Sequence, residues 1–265
     1  MREIYRFPFG QQLKEVNQTN RGHKDIFVLG VYSSAVHAKW LDHENKVVVQ
    51  ALAVDSEPYI FWRGDGVQDI IANIKLPEGL GKLVQANSNL NGPSGIALDR
   101  LYLDPLGCDR SNSWLCDLIP HSCLNPNQLN AIEKYYNPLI EEYDLPKVNI
   151  PQVPNVLASK ERKKQILAEI MEANPKLIIL LGDEPIRWFL TNYQSEYKVL
   201  KDFGYSPESY GRIHVFLVEG KQYNFLPLVH PRQAAGLGNH SKNLRQLHNY
   251  WIQTIAPLIL RQYLH

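Results

Sequence analysis

The residues best placed to do chemistry lie near the C-terminal end of this 265-residue chain. An apolar run, Phe225-Leu226-Pro227-Leu228-Val229, delivers His230-Pro231 into a small-residue loop, Arg232-Gln233-Ala234-Ala235-Gly236-Leu237-Gly238. A histidine held at a strand end by proline can donate a hydrogen bond or move a proton near neutral pH. The Gly-Leu-Gly tip can bring backbone amides, and one apolar side chain, close to a ligand. From Gly220 onward the chain carries five Lys or Arg residues (Lys221, Arg232, Lys242, Arg245, Arg261) and no Asp or Glu, inside a formal net charge of only +1. A positive end beside His230 implies an anionic partner.

Two other segments carry polar groups where strands should stop. One is Gly30-Val31-Tyr32-Ser33-Ser34-Ala35-Val36-His37, after the apolar run from Asp25. Ser33 reads as a helix N-cap that could also bind phosphate, with His37 one turn into the helix. The other is Asp117, in Trp114-Leu115-Cys116-Asp117-Leu118-Ile119-Pro120. A carboxylate only accepts hydrogen bonds, so toward a ligand it selects an amine over a carbonyl.

The elements that must position these groups follow from the apolar pattern. Continuous runs at Ile26–Leu29, Trp114–Ile119 and Leu177–Leu181 predict strands buried on both faces, and Val47–Val54 predicts a further strand. Ser94 predicts a short helix through Leu103, and Asn125-Pro126 opens one that runs to about Tyr143 with a break at Pro138. Ser159 to Asn174 predicts a helix with Ile166, Leu167, Ile170 and Met171 inward, its Lys160-Glu161-Arg162-Lys163-Lys164 run being exposed surface. Asp183 predicts a cap for a helix containing Trp188, Phe189 and Leu190. A hairpin turns at Glu219-Gly220-Lys221, and a last helix covers Lys242 to Tyr263, interrupted at Pro257. Strands alternating with helices predict a three-layer α/β/α sandwich with a central, mostly parallel sheet, as a single domain over residues 1–265. Ligands of such sheets bind beyond the carboxyl ends of the strands. The three strand ends at Gly30, Asp117 and His230 are therefore expected at one crevice.

In order and spacing these strand ends resemble the uracil-DNA glycosylase superfamily. The resemblance spans most of Asp25 to Trp251 and implies hydrolysis of the N-glycosidic bond of a base flipped out of single- or double-stranded DNA. It assigns His230 as the neutral donor to the departing base, with Tyr32, Ser33 or His37 nearest the water-activating position. Gly30 and Asp117 would line the base, and Phe61, in Glu57-Pro58-Tyr59-Ile60-Phe61-Trp62, would stack on it. Ser34, Arg232, Ser241, Lys242 and Arg245 would meet phosphates, and Leu237 would wedge into the gap. The sequence departs from the family in having no Asp, Glu or Asn at the water-activating position, which leaves Asp55 or Glu57 to be drawn from elsewhere. An alternative is a protein of the same fold that binds nucleic acid or nucleotide without cleaving. A second is a Ser-His-Asp hydrolase built on Ser33 or Ser34, His230 and Asp117 or Asp183, although no Gly-x-Ser-x-Gly elbow occurs.

Composition bounds the rest. Three cysteines (Cys108, Cys116, Cys123) make neither a disulfide framework nor a four-thiolate centre, so buried free thiols are expected. The opening residues are polar, and no run approaches the roughly 20 apolar residues of a membrane span. A cytoplasmic monomer that needs no metal or organic cofactor is expected.

Overall fold

The computed structural model describes residues 4–237 and 241–264. Its strands are β1 (Ile26–Tyr32), β2 (Ala35–Leu41), β3 (Val47–Ser56), β4 (Lys82–Gln85), β5 (Ser113–Ile119), β6 (Leu177–Leu181), β7 (His214–Val218) and β8 (Lys221–Leu228). Its α-helices are α1 (Val67–Ala72), α2 (Pro93–Leu98), α3 (Pro126–Ala131), α4 (Lys160–Ala173), α5 (Asp183–Trp188), α6 (Pro231–Ala234), α7 (Ser241–Thr254) and α8 (Ala256–Ile259). The chain packs as two compact units. Each is assembled from three separated segments. Among the described residues, no helix is long and apolar enough to cross a membrane.

The first unit comprises Asn17–Val31, Ser94–Ile119 and Val156–His265. It holds a five-stranded sheet in the order β5-β1-β6-β8-β7, in which β1, β6 and β8 run parallel and β7 is antiparallel to β8. The sequence expectation of an α/β protein with a mostly parallel sheet and flanking helices holds. Every residue of β5 and β6 is buried, as is most of β1 and the second half of β8. That burial is why these runs are mostly apolar rather than alternating, Ser113 and Asp117 of β5 being the buried polar exceptions. The edge strand β7 alternates instead, with Val215 and Leu217 exposed. The β7–β8 turn falls where expected, and Glu219 (φ 47°) and Gly220 (φ 80°) both take the left-handed conformation that a two-residue hairpin requires.

Helix α4 starts at its Ser159 cap and ends on Asn174 at φ 45°. Its buried face is Ile166, Ile170 and Ala173, whereas Met171, expected inside, is 61% exposed. Asp183 does not cap α5. Gly182 occupies that position, and the Asp183 carboxylate instead accepts from the Leu200 amide at 2.8 Å. The last helical stretch is interrupted at Ile255, ahead of Pro257, as the proline demands.

The second unit comprises Met1–Val16, Tyr32–Pro93 and Pro120–Asn155. The sequence places Val47–Val54 as another strand of the main sheet. It pairs antiparallel with β2 instead, in a separate sheet of order β3-β2-β4. The connections decide this: β2 and β3 are linked by a short turn at Asp42–Lys46, and a parallel crossover needs a dozen or more residues. Phe9, Trp40 and Tyr136 centre this unit's core, with ring centroids 5.2–5.4 Å apart in edge-to-face contacts. The Asn125 side chain caps α3 by accepting from the Gln128 amide at 3.0 Å, as expected.

Gly64 and Gly92 lie backbone to backbone. A Cβ on Gly92 (φ 78°) would come within 2.0–2.4 Å of Arg63 and Gly64 backbone atoms. Gly92→Ala is accordingly expected to destabilise the protein by at least about 2 kcal/mol, read as a lowered urea midpoint. An unchanged midpoint would show that this approach is not held in solution.

Candidate functional site

The parallel register fixes what the first unit can bring together. Leu29 pairs with Leu180, and Leu181 with Leu228, so β1, β6 and β8 end along one edge of the sheet. Gly30 falls one residue beyond Leu29, buried inside β1 rather than in a turn. Strand β6 ends at Leu181, and Gly182 follows it at φ 87°, a conformation that suits glycine, beside His230. A Cβ there would sit 3.5 Å from the His230 Cβ.

His230 is the N-cap of the one-turn helix α6, and Pro231 in the first turn fixes the exit from β8. Its Nδ1 accepts from the Arg232 backbone amide at 3.3 Å. An amide nitrogen can only donate, so Nδ1 is unprotonated and the proton of the neutral ring sits on Nε2. Desolvation, together with the Arg232 charge, pushes the imidazole down to about 4. The ring is therefore a neutral Nε2–H donor at pH 7. This is the wrong tautomer for a Ser-His-Asp triad, in which Nδ1–H is donated to a carboxylate.

Helix α6 closes on Gly236 at φ 77°, and the Leu237 amide returns to the Arg232 carbonyl at 2.8 Å. This is a Schellman ending, which commits Gly236 to stopping the helix rather than to meeting a ligand. Leu237 is 36% exposed, and Gly238 lies outside the described residues, as do Asn239 and His240. Arg245 lies over Gly236, its side chain 3.1 Å from where a Cβ would stand. Lys242 and Arg245 are exposed on α7, Arg232 is partly exposed, and Ser241 is buried at 7%. Ser241 thus offers little side-chain surface to a phosphate, whereas the three cations do.

Asp117 is not at a strand end. It lies two residues before the end of β5 and is 3% exposed. Its carbonyl accepts from Arg162 Nη2 at 2.7 Å. Arg162 also bonds the Leu118 carbonyl, Cys116 Sγ and Glu169 Oε1, with only 12% of its side chain exposed. The sequence reading of this charged run as solvated surface is corrected here. Arg162 stands four residues before Ile166 and eight before Ile170, on the inward stripe, and that spacing was the available signal. Of the cysteines, Cys108 and Cys116 are buried and Cys123 partly so. Burial raises all three thiols, Cys108 and Cys123 to about 11, so they are poor nucleophiles.

The remaining expected residues belong to the second unit. Tyr32 ends β1 and is 37% exposed. No helix follows it: Ser33 and Ser34 form a two-residue link straight into β2, so Ser33 is not a cap. His37 lies within β2, at a shift in its register with β3. Its amide and carbonyl are both taken by the Asn91 side chain, at 2.8 and 2.9 Å, which satisfies backbone groups at the irregularity. Ser34 is exposed, and its carbonyl accepts from Ser122 Oγ and the Glu57 amide. Glu57 itself is 4% exposed, and burial raises the Asp55 carboxyl above its usual range. Phe61, at φ 51°, and Trp62 are buried at 7% and 1%, so neither presents an open face to a base.

Ser33 is 1% exposed, and among the described residues its Oγ finds no hydrogen-bond partner. A buried hydroxyl left unmade costs about 1–3 kcal/mol. Ser33→Ala is thus expected to raise the melting temperature, by an amount matching roughly 1 kcal/mol. A fall of similar size would mean that the hydroxyl is satisfied in solution.

No family model matches this chain, and no curated protein resembles it at a meaningful level.

Proposed function

We propose that this chain is a uracil-DNA glycosylase-like protein that binds DNA and hydrolyses the N-glycosidic bond of an extruded base. The observation that carries the reading is the cap at His230. It supplies a neutral imidazole whose proton is held on Nε2, at the carboxyl edge of a parallel sheet. Leaving-base chemistry needs a donor toward the charge that develops on the base, and a donor that stays neutral does not lose its proton to bulk water. Arg232, Lys242 and Arg245 supply cations for backbone phosphates, and Leu237 supplies an exposed apolar side chain for the vacated stack.

One observation favours a second reading, binding without cleavage. The segment Tyr32-Ser33-Ser34 contains no carboxylate or amide to activate water, and its one buried hydroxyl is a poor base. The deciding experiment is a base-release assay on oligonucleotides carrying uracil, hypoxanthine, xanthine or mismatched cytosine, run beside salt-dependent binding. Release of one base supports the glycosylase. Binding that weakens with salt, without release, supports the second reading. Neither release nor binding would remove both.

A further inference from the structure

Strand β8 makes its last sheet pairing at Leu228, so Val229 is the first residue beyond the sheet, and it is fully buried. Its amide and carbonyl must find partners elsewhere. Both partners are phenols. The Val229 amide donates to Tyr210 Oη at 3.1 Å, and the Val229 carbonyl accepts from Tyr102 Oη at 2.6 Å.

Tyr210 in turn meets His248 Nδ1 at 2.8 Å, and His248 Nε2 meets the Leu101 carbonyl at 2.9 Å. A carbonyl only accepts, so His248 carries its proton on Nε2 and Tyr210 must donate to Nδ1. Every donor in the chain then has one acceptor. His248 is wholly buried, with its ring 4.4 Å from Tyr102 and stacked 5.0 Å from Trp251. Trp251 Nε1 holds the Gly211 carbonyl at 3.1 Å, and a Cβ on Gly211 would come within 2.2 Å of that indole. The segment that carries Tyr210 is thereby tied to α7.

We infer that Tyr102, Tyr210 and His248 are positioning residues for His230, orienting its imidazole and fixing its tautomer through the two peptide groups that flank Val229. The Val229 carbonyl and the His230 nitrogen share one peptide plane, so the Tyr102 bond sets the direction in which His230 leaves the strand. The reach of the Nδ1 atom back to the Arg232 amide depends on that direction. Only the catalytic part of this inference rests on the glycosylase reading.

The test is nitrogen-15 NMR of histidine-labelled full-length protein, which reads the tautomer and titration of each imidazole, beside kcat and KM for base release. In Tyr210→Phe and Tyr102→Phe the His230 nitrogen shifts should move from the pure Nε2–H form toward a tautomer average. There kcat should fall about 10- to 100-fold with KM unchanged, as for a misplaced group. His248→Gln offers an acceptor to Tyr210 and a donor to Leu101, so it should keep the wild-type His230 signals, whereas His248→Leu should lose them. Should Tyr210→Phe not fold, Tyr102→Phe puts the same question from the carbonyl side. Folded phenylalanine variants with unchanged His230 signals would overturn the inference, whether or not the protein cleaves DNA. No base release by the wild-type protein, with the His230 shifts still moved in the phenylalanine variants, would overturn the function and leave the positioning role standing.

Discussion

Acidification from about pH 6.5 to about pH 4 should strip this protein of much of its stability. Two histidines, the half-buried His230 and the fully buried His248, are each held neutral by desolvation, helped at His230 by the Arg232 charge, with folded pKa values lowered from 6.5 to about 4. Between those limits the unfolded chain binds protons that the folded chain refuses. The stabilisation is therefore complete above pH 6.5 and is lost as the pH falls toward 4. For His248 alone this amounts to roughly 3 kcal/mol, a large fraction of the roughly 5–15 kcal/mol that keeps a domain folded. Burial lowers His214 as well, in the same direction. The groups facing His248 are Tyr102 and Tyr210, both raised by burial, so neither supplies a charge that would hold the imidazolium. Urea unfolding at pH 7 and pH 5 measures the loss, and His248→Gln should flatten it. Equal slopes in the two proteins would show that the ring is protonated, or solvated, in the fold.

Under the proposed glycosylase function, His230→Ala should reduce base release by about 10²–10³-fold, the loss expected when one preorganised donor to a developing charge is removed. Oligonucleotide affinity should hardly move, because Arg232, Lys242, Arg245 and Leu237 remain. The substitution also deletes the cap of α6, at a cost of about 1 kcal/mol. His230→Asn separates the two losses, since an asparagine oxygen can accept from the Arg232 amide without restoring the imidazole. It should recover stability and not activity. Release at the wild-type rate by His230→Ala would end the assignment of His230 as the donor.

Much of the scaffold was legible in the sequence because burial on both faces leaves a one-dimensional trace. The runs at Ile26–Leu29, Trp114–Ile119 and Leu177–Leu181 are dominated by apolar residues, and each is a buried strand of the five-stranded sheet. The caps at Ser159 and Asn125 and the turn at Glu219-Gly220 were equally readable, since each is a local demand on a few residues. His230-Pro231 belongs to that class: proline fixes the strand exit, and the cap follows from the next two residues.

What failed was long-range. Whether Val47–Ser56 joined the main sheet depended on its partner, and β2 had been read as a helix, so the separate sheet went unseen. The amide clamp of Asn91 on His37 joins residues 54 positions apart, and Arg162 reaches back 44 to 46 residues to β5. The two phenols and the histidine around Val229 come from segments up to 127 residues away, and nothing near any of them marks it as a partner of that peptide. Residue types and local spacing determined which strands are buried and where a histidine could be held at a strand end. Only the tertiary structure decided which proton that histidine keeps, because a tautomer is set by the partner that each nitrogen meets.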